Sequence, residues 1–166
     1  TVVVSRGVAG PVVPSAEPSL TPEQLAQARA LATARANVGQ LRCSARLNTA
    51  IMRDPDSDAW LVWLLTPMPD NRQIPMGGHY RFRISADGTS VLRRDQLSNS
   101  CLFLDRPQGG REAVLVTTQI VSKSPIETHV FLSLQNQITI AVMAGDRFFS
   151  VGGARISDIT DQMGRR

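Results

Sequence analysis

The sequence predicts an α+β fold, in which one N-terminal helix packs on a strongly bent, mostly antiparallel sheet or open barrel of about eight short strands. Three observations lead to this prediction: a capped, alanine-rich stretch after residue 20, a hydrophobic period of two from residue 41 onward, and turn residues between short apolar segments. A chain of 166 residues with 42% hydrophobic residues suits a single domain. We place that domain at residues 20–166.

The N-terminal helix carries its own start and stop signals. Thr21 is placed to cap it, Pro22 suits the first helical position, and Gln24 completes a capping box with Thr21. The helix is predicted to run to Val38, with Gly39 ending it. Its predicted sheet-facing side consists of small and aliphatic residues: Leu25, Ala28, Leu31, Ala32 and Val38. Small side chains let a helix lie close to a sheet, so we interpret this helix as a cover for the sheet.

Short strands are predicted for the rest of the chain. Residues 41–51 alternate between apolar and polar side chains, and residues 59–65 form an apolar run of the length of a buried strand. A glycine-containing turn is expected at 108–110. Outside the central hairpin, the remaining predicted strands lie at 101–104, 113–121, 128–134, 138–143 and 148–151, with a helical turn within 157–163.

Residues 78–94 predict a β-hairpin, because two alternating segments flank Asp87 and Gly88, which suit a tight two-residue turn. One face of its first strand carries Tyr80, Phe82 and Ile84, and the other carries His79, Arg81 and Arg83. Since Tyr and Arg are enriched at binding hot spots, we predict a binding surface made of Gly77, Gly78, His79, Tyr80, Arg81 and Arg83. The alternative is that Tyr80 belongs to the core and the arginines form a solvated face.

Three features point to an exported bacterial protein. The two cysteines, Cys43 and Cys101, fit one disulfide in an oxidising compartment, the alternative being two buried thiols. The chain begins at Thr1, and residues 1–19 are rich in Val, Pro, Ala and Ser, which is typical of a flexible tether after a removed signal peptide. Lys123 is the only lysine among 18 basic residues, which suggests GC-rich bacterial coding. We therefore expect a periplasmic or secreted location.

The sequence offers little material for catalysis or metal binding. In the acidic turn at 54–58, Ala59 and Leu65 stand where a calcium loop needs Gly and Glu, so we expect a solvated turn and no metal. Glu127 and His129 are two apart on a predicted strand and would share a face there. They are the weak candidates for catalysis, or for zinc with a third ligand; the simpler interpretation is an exposed pair on a sheet edge. No nucleophile elbow or phosphate-binding glycine spacing occurs, so no cofactor is expected.

These observations favour a non-enzymatic domain that binds a protein partner in the envelope or secretome. The most concrete version is an inhibitor or immunity protein that acts on a secreted or envelope protein. The alternatives are a small envelope hydrolase and a structural subunit of an envelope assembly. An aromatic content of 5% without a nucleic-acid motif argues against nucleic-acid binding, and no apolar run reaches the about 18 residues of a membrane span. The oligomeric state stays open.

Overall fold

The computed structural model describes residues 2, 4–6, 8–14, 19–107 and 114–163. Over these residues it contains three helices, α1 (Pro22–Ala36), α2 (Glu127–Asn136) and α3 (Thr160–Met163). The strands are β1 (Val4–Ser5), β2 (Val8–Ala9), β3 (Asn48–Arg53), β4 (Trp60–Leu65), β5 (Gln73–Pro75), β6 (Tyr80–Ile84), β7 (Val91–Gln96), β8 (Phe103–Asp105), β9 (Val114–Gln119), β10 (Thr139–Ala144), β11 (Arg147–Gly152) and β12 (Arg155–Asp158). The turn expected at 108–110 and the first residue of the strand expected at 113–121 lie outside the described residues.

The predicted α+β class is confirmed, but the expected strongly bent sheet or open barrel is not found. The described strands form four separate sheets, two of them four-stranded with the orders β3-β4-β6-β7 and β12-β11-β10-β9. The pairs β5-β8 and β1-β2 complete the set. Helix α1 covers the first large sheet and α2 packs on the second, which gives two hydrophobic cores. Because each of the two large sheets has its own helix to bury its apolar face, no single long sheet has to curl on itself.

The strand predicted at 128–134 is wrong, since these residues belong to α2. The helix connects β9 to β10, which pair in parallel, and a parallel pair needs such a crossover connection. Leu132, Ser133 and Asn136 are buried at helical spacing, and the Ser133 hydroxyl donates to the Ile138 carbonyl over 2.5 Å. A short apolar segment suits either a strand or a buried helix, so periodicity did not separate the two.

Helix α1 begins as predicted. The Gln24 N–H donates to Thr21 Oγ1 over 3.2 Å, and the Thr21 N–H donates to Gln24 Oε1 over 2.9 Å, which completes the capping box. The helix ends earlier than expected, at Ala36, with Asn37 as its C-cap. Its buried side is formed by Ala26, Ala30 and Ala34. The predicted face is therefore wrong in its position on the helix, although the buried side chains are small, as predicted.

The first large sheet is built on the predicted hairpin. Tyr80, Phe82 and Ile84 are all fully buried in the core under α1, as the alternation predicts. The turn is longer than the expected two residues. The Ser85 N–H donates to the Ser90 carbonyl, and Gly88, with φ +82°, lies in the loop between these two residues. The first strand was expected at 41–51, whereas β3 begins only at Asn48 and residues 41–47 form a loop. The turn between β10 and β11 consists of two residues, Gly145 and Asp146.

The predicted disulfide is confirmed. Cys43 and Cys101 are bonded across a sequence separation of 58, with their Cα atoms 5.4 Å apart. The bond ties loop 41–47 to the segment that leads into β8. None of the helices in the described part of the chain has the length and apolar character that a membrane crossing needs.

Candidate functional site

The sheet β3-β4-β6-β7 has one face under α1 and an opposite face, here called the outer face, that carries charged and aromatic side chains. Strand pairing aligns two rows of residues across it. One row consists of Ala50, Trp63, Arg81 and Asp95, and the other of Met52, Leu61, Arg83 and Arg93. Since neighbours in a strand point to opposite faces, these residues alternate with the buried ones that contact α1.

Arg83 and Asp54 form the ion pair at one end of the outer face. Both Arg83 Nε, at 2.7 Å, and Arg83 Nη2 donate to Asp54 Oδ2. The carboxylate of Asp54, whose residue is only 5% exposed, also accepts the Asp56 N–H at 3.1 Å and the Ser57 hydroxyl at 2.8 Å. The Asp56 N–H, the Ser57 hydroxyl and then Arg83 hold the pKa of Asp54 below its ordinary value. Asp54 is therefore a charged anchor that fixes the Arg83 side chain.

Arg81 forms the centre of the outer face because it binds two carboxylates. Its Nε and Nη2 donate to Asp95 Oδ2 at 3.0 and 2.9 Å, and its Nη1 donates to Glu127 Oε1 at 2.8 Å. Burial opposes the charge on Arg81, but the Asp95 hydrogen bond and the Glu127 charge outweigh it, so the pKa of Arg81 is raised. The other oxygen of Asp95 accepts Arg93 Nε at 2.7 Å. Charge-assisted, two-point contacts of this kind restrict the geometry of both partners.

Trp63 joins this network from β4. Its indole Nε1 donates to Glu127 Oε1 over 2.8 Å, so one carboxylate oxygen holds Trp63 and Arg81 together. Glu127 lies in the first turn of α2, where the helix dipole favours a negative charge. A shallow cavity of about 260 Å³ lies over the face, lined by Leu61, Trp63 and charged side chains of both signs. The charged side chains can form hydrogen bonds with donors and acceptors of another molecule. The half-buried indole of Trp63 lies beside them and offers an apolar contact.

Glu127 and His129 do not form the pair that a strand would give. Both lie on α2, where residues two apart point in different directions. Glu127 contacts the outer face, whereas His129 is 5% exposed and its Nδ1 accepts the Ile126 N–H over 3.1 Å. Burial, and next the charge of His79, lower the pKa of His129 to about 4. The described residues contain no group of three or more His, Cys, Asp and Glu that could hold a metal ion.

The predicted contact loop at 77–80 lies inside the protein. Tyr80 is 0% and His79 is 2% exposed, and Gly77 and Gly78 are buried as well. His79 Nδ1 accepts the Thr66 N–H over 3.1 Å, and its Nε2 lies 3.0 Å from the Pro75 carbonyl. Of the six predicted binding residues, Arg81 and Arg83 are the two that reach the surface. That they bind a partner stays a prediction.

Sequence reasoning missed three members of the network: Asp54, Trp63 and Asp95. Asp54 was interpreted only as part of a solvated turn, because its partner Arg83 lies 29 residues away. Alternation in β4 and β7 could have placed Trp63 and Asp95 on the polar side of the sheet. It could not have aligned them with Arg81, since that alignment depends on strand register.

Comparison of this chain with protein-family models, with curated proteins and with solved structures found no match.

Proposed function

We propose that this chain is an exported bacterial domain that binds a protein of the envelope or secretome through its outer face. An inhibitor or immunity protein that acts on a secreted protein is the most concrete version. The observation that carries the proposal is the network in which Arg81, Asp95 and Glu127 hold one another beside Trp63. The side chains of this network are fixed before any partner arrives.

The composition of the face favours a protein surface as the partner. Trp and Arg are the residue types most enriched among side chains that dominate protein–protein affinity. Positive and negative groups alternate here, which suits a protein surface of mixed charge, whereas a nucleic-acid backbone would require one sign. Because the charged side chains are already ordered, less conformational entropy is lost on association.

The disulfide supports the exported location. Disulfides persist in oxidising compartments and are rare in the bacterial cytosol. The Cys43–Cys101 bond joins two loops, and it lies where strand pairing alone would leave residues 41–47 weakly held. A domain that works outside the cytosol gains stability from such a bond without a larger core.

The hydrolase alternative loses the candidate pair of Glu127 and His129, since Glu127 bonds to the sheet and His129 is buried elsewhere on α2. The assembly-subunit alternative depends on residues 1–19. Deletion of these residues distinguishes an assembly subunit from an independent inhibitor. A subunit loses incorporation into its assembly, whereas an inhibitor keeps its affinity for its partner.

The test of the proposal uses the immobilised protein to capture partners from envelope and secreted fractions of bacteria, with identification by mass spectrometry. Arg93→Glu changes the outer face at a side chain that is 67% exposed, and Arg29→Glu makes the same charge change on α1, on the other side of the sheet. We expect one stoichiometric partner whose affinity falls by at least about tenfold with Arg93→Glu and stays unchanged with Arg29→Glu. A partner retained equally by both variants, or no stoichiometric partner, would contradict the proposal.

A further inference from the structure

A second cavity, of about 580 Å³, lies on the α1 side of the molecule, away from the outer face. It opens where the C-terminal end of α1 meets loop 41–47 and the first residue of β3. Arg35 lines it from α1, and Arg42 and Arg46 line it from the loop. Its volume is in the range of pockets that hold small organic ligands.

The three arginines of this cavity have no carboxylate in its lining. Six arginines elsewhere in the described residues form ion pairs with acids, for example Arg53 with Glu23, Arg72 with Asp70 and Arg147 with Asp158. No salt bridge between described residues involves any of the three cavity arginines. Three formal charges therefore converge on one cavity in a chain whose net charge is +4. Clefts lined by one sign of charge concentrate the field and attract counter-ions.

Loop 41–47, which carries two of the arginines, is held in place at several points. The disulfide fixes Cys43, and the buried Tyr80 hydroxyl donates to the Leu41 carbonyl over 2.9 Å. Within the loop, the Arg46 N–H donates to Ser44 Oγ over 3.3 Å. The arginines thus project from anchored backbone, which keeps the cavity formed before a ligand arrives.

The remaining lining indicates the class of ligand. The guanidinium group is a planar fork that matches phosphate and similar oxyanions with two parallel hydrogen bonds. The Ser44 hydroxyl and the Asn48 amide add uncharged donors. Val38 and Leu47, both partly buried, and the fully buried Leu64 give the cavity an apolar floor. Such a floor suits an apolar body and not a free inorganic ion.

We propose that this cavity binds a small organic molecule in which a phosphoryl or sulfate group is attached to an apolar body. The oxyanion lies between Arg35, Arg42 and Arg46, and the body contacts the floor formed by Val38 and Leu47. This site is separate from the outer face, so ligand and protein partner can bind at the same time.

The experiment measures binding of phenyl phosphate to the whole chain by isothermal titration calorimetry and amide NMR shifts. We expect a dissociation constant of about 1 mM or lower. Inorganic phosphate and phenol are the two comparison probes, and each should bind at least about fivefold more weakly than phenyl phosphate because it fills only half of the site. Equal binding of inorganic phosphate would overturn the role of the apolar floor.

Two matched variants locate the binding. Arg42→Gln removes one charge from the cavity, and Arg29→Gln removes one from the exposed side of α1. We expect Arg42→Gln to weaken phenyl phosphate binding by about tenfold and Arg29→Gln to change it by less than about twofold. Thermal melting of both variants checks that the fold is kept. Equal affinities of the two variants, or no binding of phenyl phosphate to the wild-type chain at 10-fold the expected dissociation constant, would overturn the proposal.

Discussion

The buried histidine of α2 makes the stability of this protein dependent on pH. Burial and the neighbouring His79 lower the pKa of His129 to about 4, whereas an unfolded chain has a histidine pKa of about 6.5. The unfolded state therefore binds a proton more readily between these two values. The contribution of His129 to the free energy of unfolding is complete above pH 6.5 and is lost as the pH falls towards 4, by roughly 2 to 3 kcal/mol at pH 4.5. Burial also lowers the pKa of His79, against the opposing effect of the Pro75 carbonyl, so His79 acts in the same direction.

The measurement is urea unfolding at pH 7.5, 6.5, 5.5 and 4.5 for the wild type and for His129→Gln. Glutamine at this position can still accept the Ile126 N–H, because it is the residue that completes a capping box at N3. We expect the wild type to lose roughly 2 to 3 kcal/mol more than the variant between pH 7.5 and 4.5. His79 and His129 are the only histidines, so His79 and the carboxylates account for the loss that both proteins share.

A parallel loss of stability in the wild type and the variant would refute this reasoning. It would mean that His129 is solvated or already paired with a negative charge in the folded protein. An increased loss in the variant would refute it as well, because a neutral glutamine has no proton to gain in this range.

Two further perturbations test the fold itself. Replacing Cys43 and Cys101 by serine removes a bond that closes a loop over a sequence separation of 58. This change should lower the free energy of unfolding, measured with urea, by about 4 kcal/mol. A loss below about 1 kcal/mol would contradict this expectation. Gly88→Ala should lower the free energy of unfolding by about 3 kcal/mol, because φ is +82° and the new methyl group meets the α1 backbone. Gly145→Ala, with φ +64° and open space, is the matched control and should lose only about 1 kcal/mol; equal losses would exclude the helix contact.

Local sequence chemistry was sufficient for several elements. The Thr21 and Gln24 capping box lies within four residues, so its partners can be identified from neighbouring residues alone. The alternation of β6 was also readable, since Tyr80 and Phe82 both face the core. In the same way, the pair of cysteines predicted the disulfide once an oxidising compartment was assumed.

Local chemistry failed where two structures compete for the same residues. Residues 128–134 combine β-branched, aromatic and aliphatic side chains, which suit a strand as well as a buried helix. The parallel pairing of β9 with β10 requires a crossover between them, and α2 supplies it. That requirement is a property of the sheet and is absent from the segment itself.

The sequence by itself determined the α+β class, the start of α1, the central hairpin and the oxidised cysteine pair, because these depend on neighbouring residues or on residue type. Only the tertiary structure decided which side chains bond to one another on the outer face and which arginines line one cavity. Arg81 meets Glu127 across 46 residues, and Arg35 at the end of α1 shares a cavity with Arg46 of loop 41–47, which the disulfide ties to the segment before β8. Contacts between such distant residues depend on register and packing, which no local pattern contains.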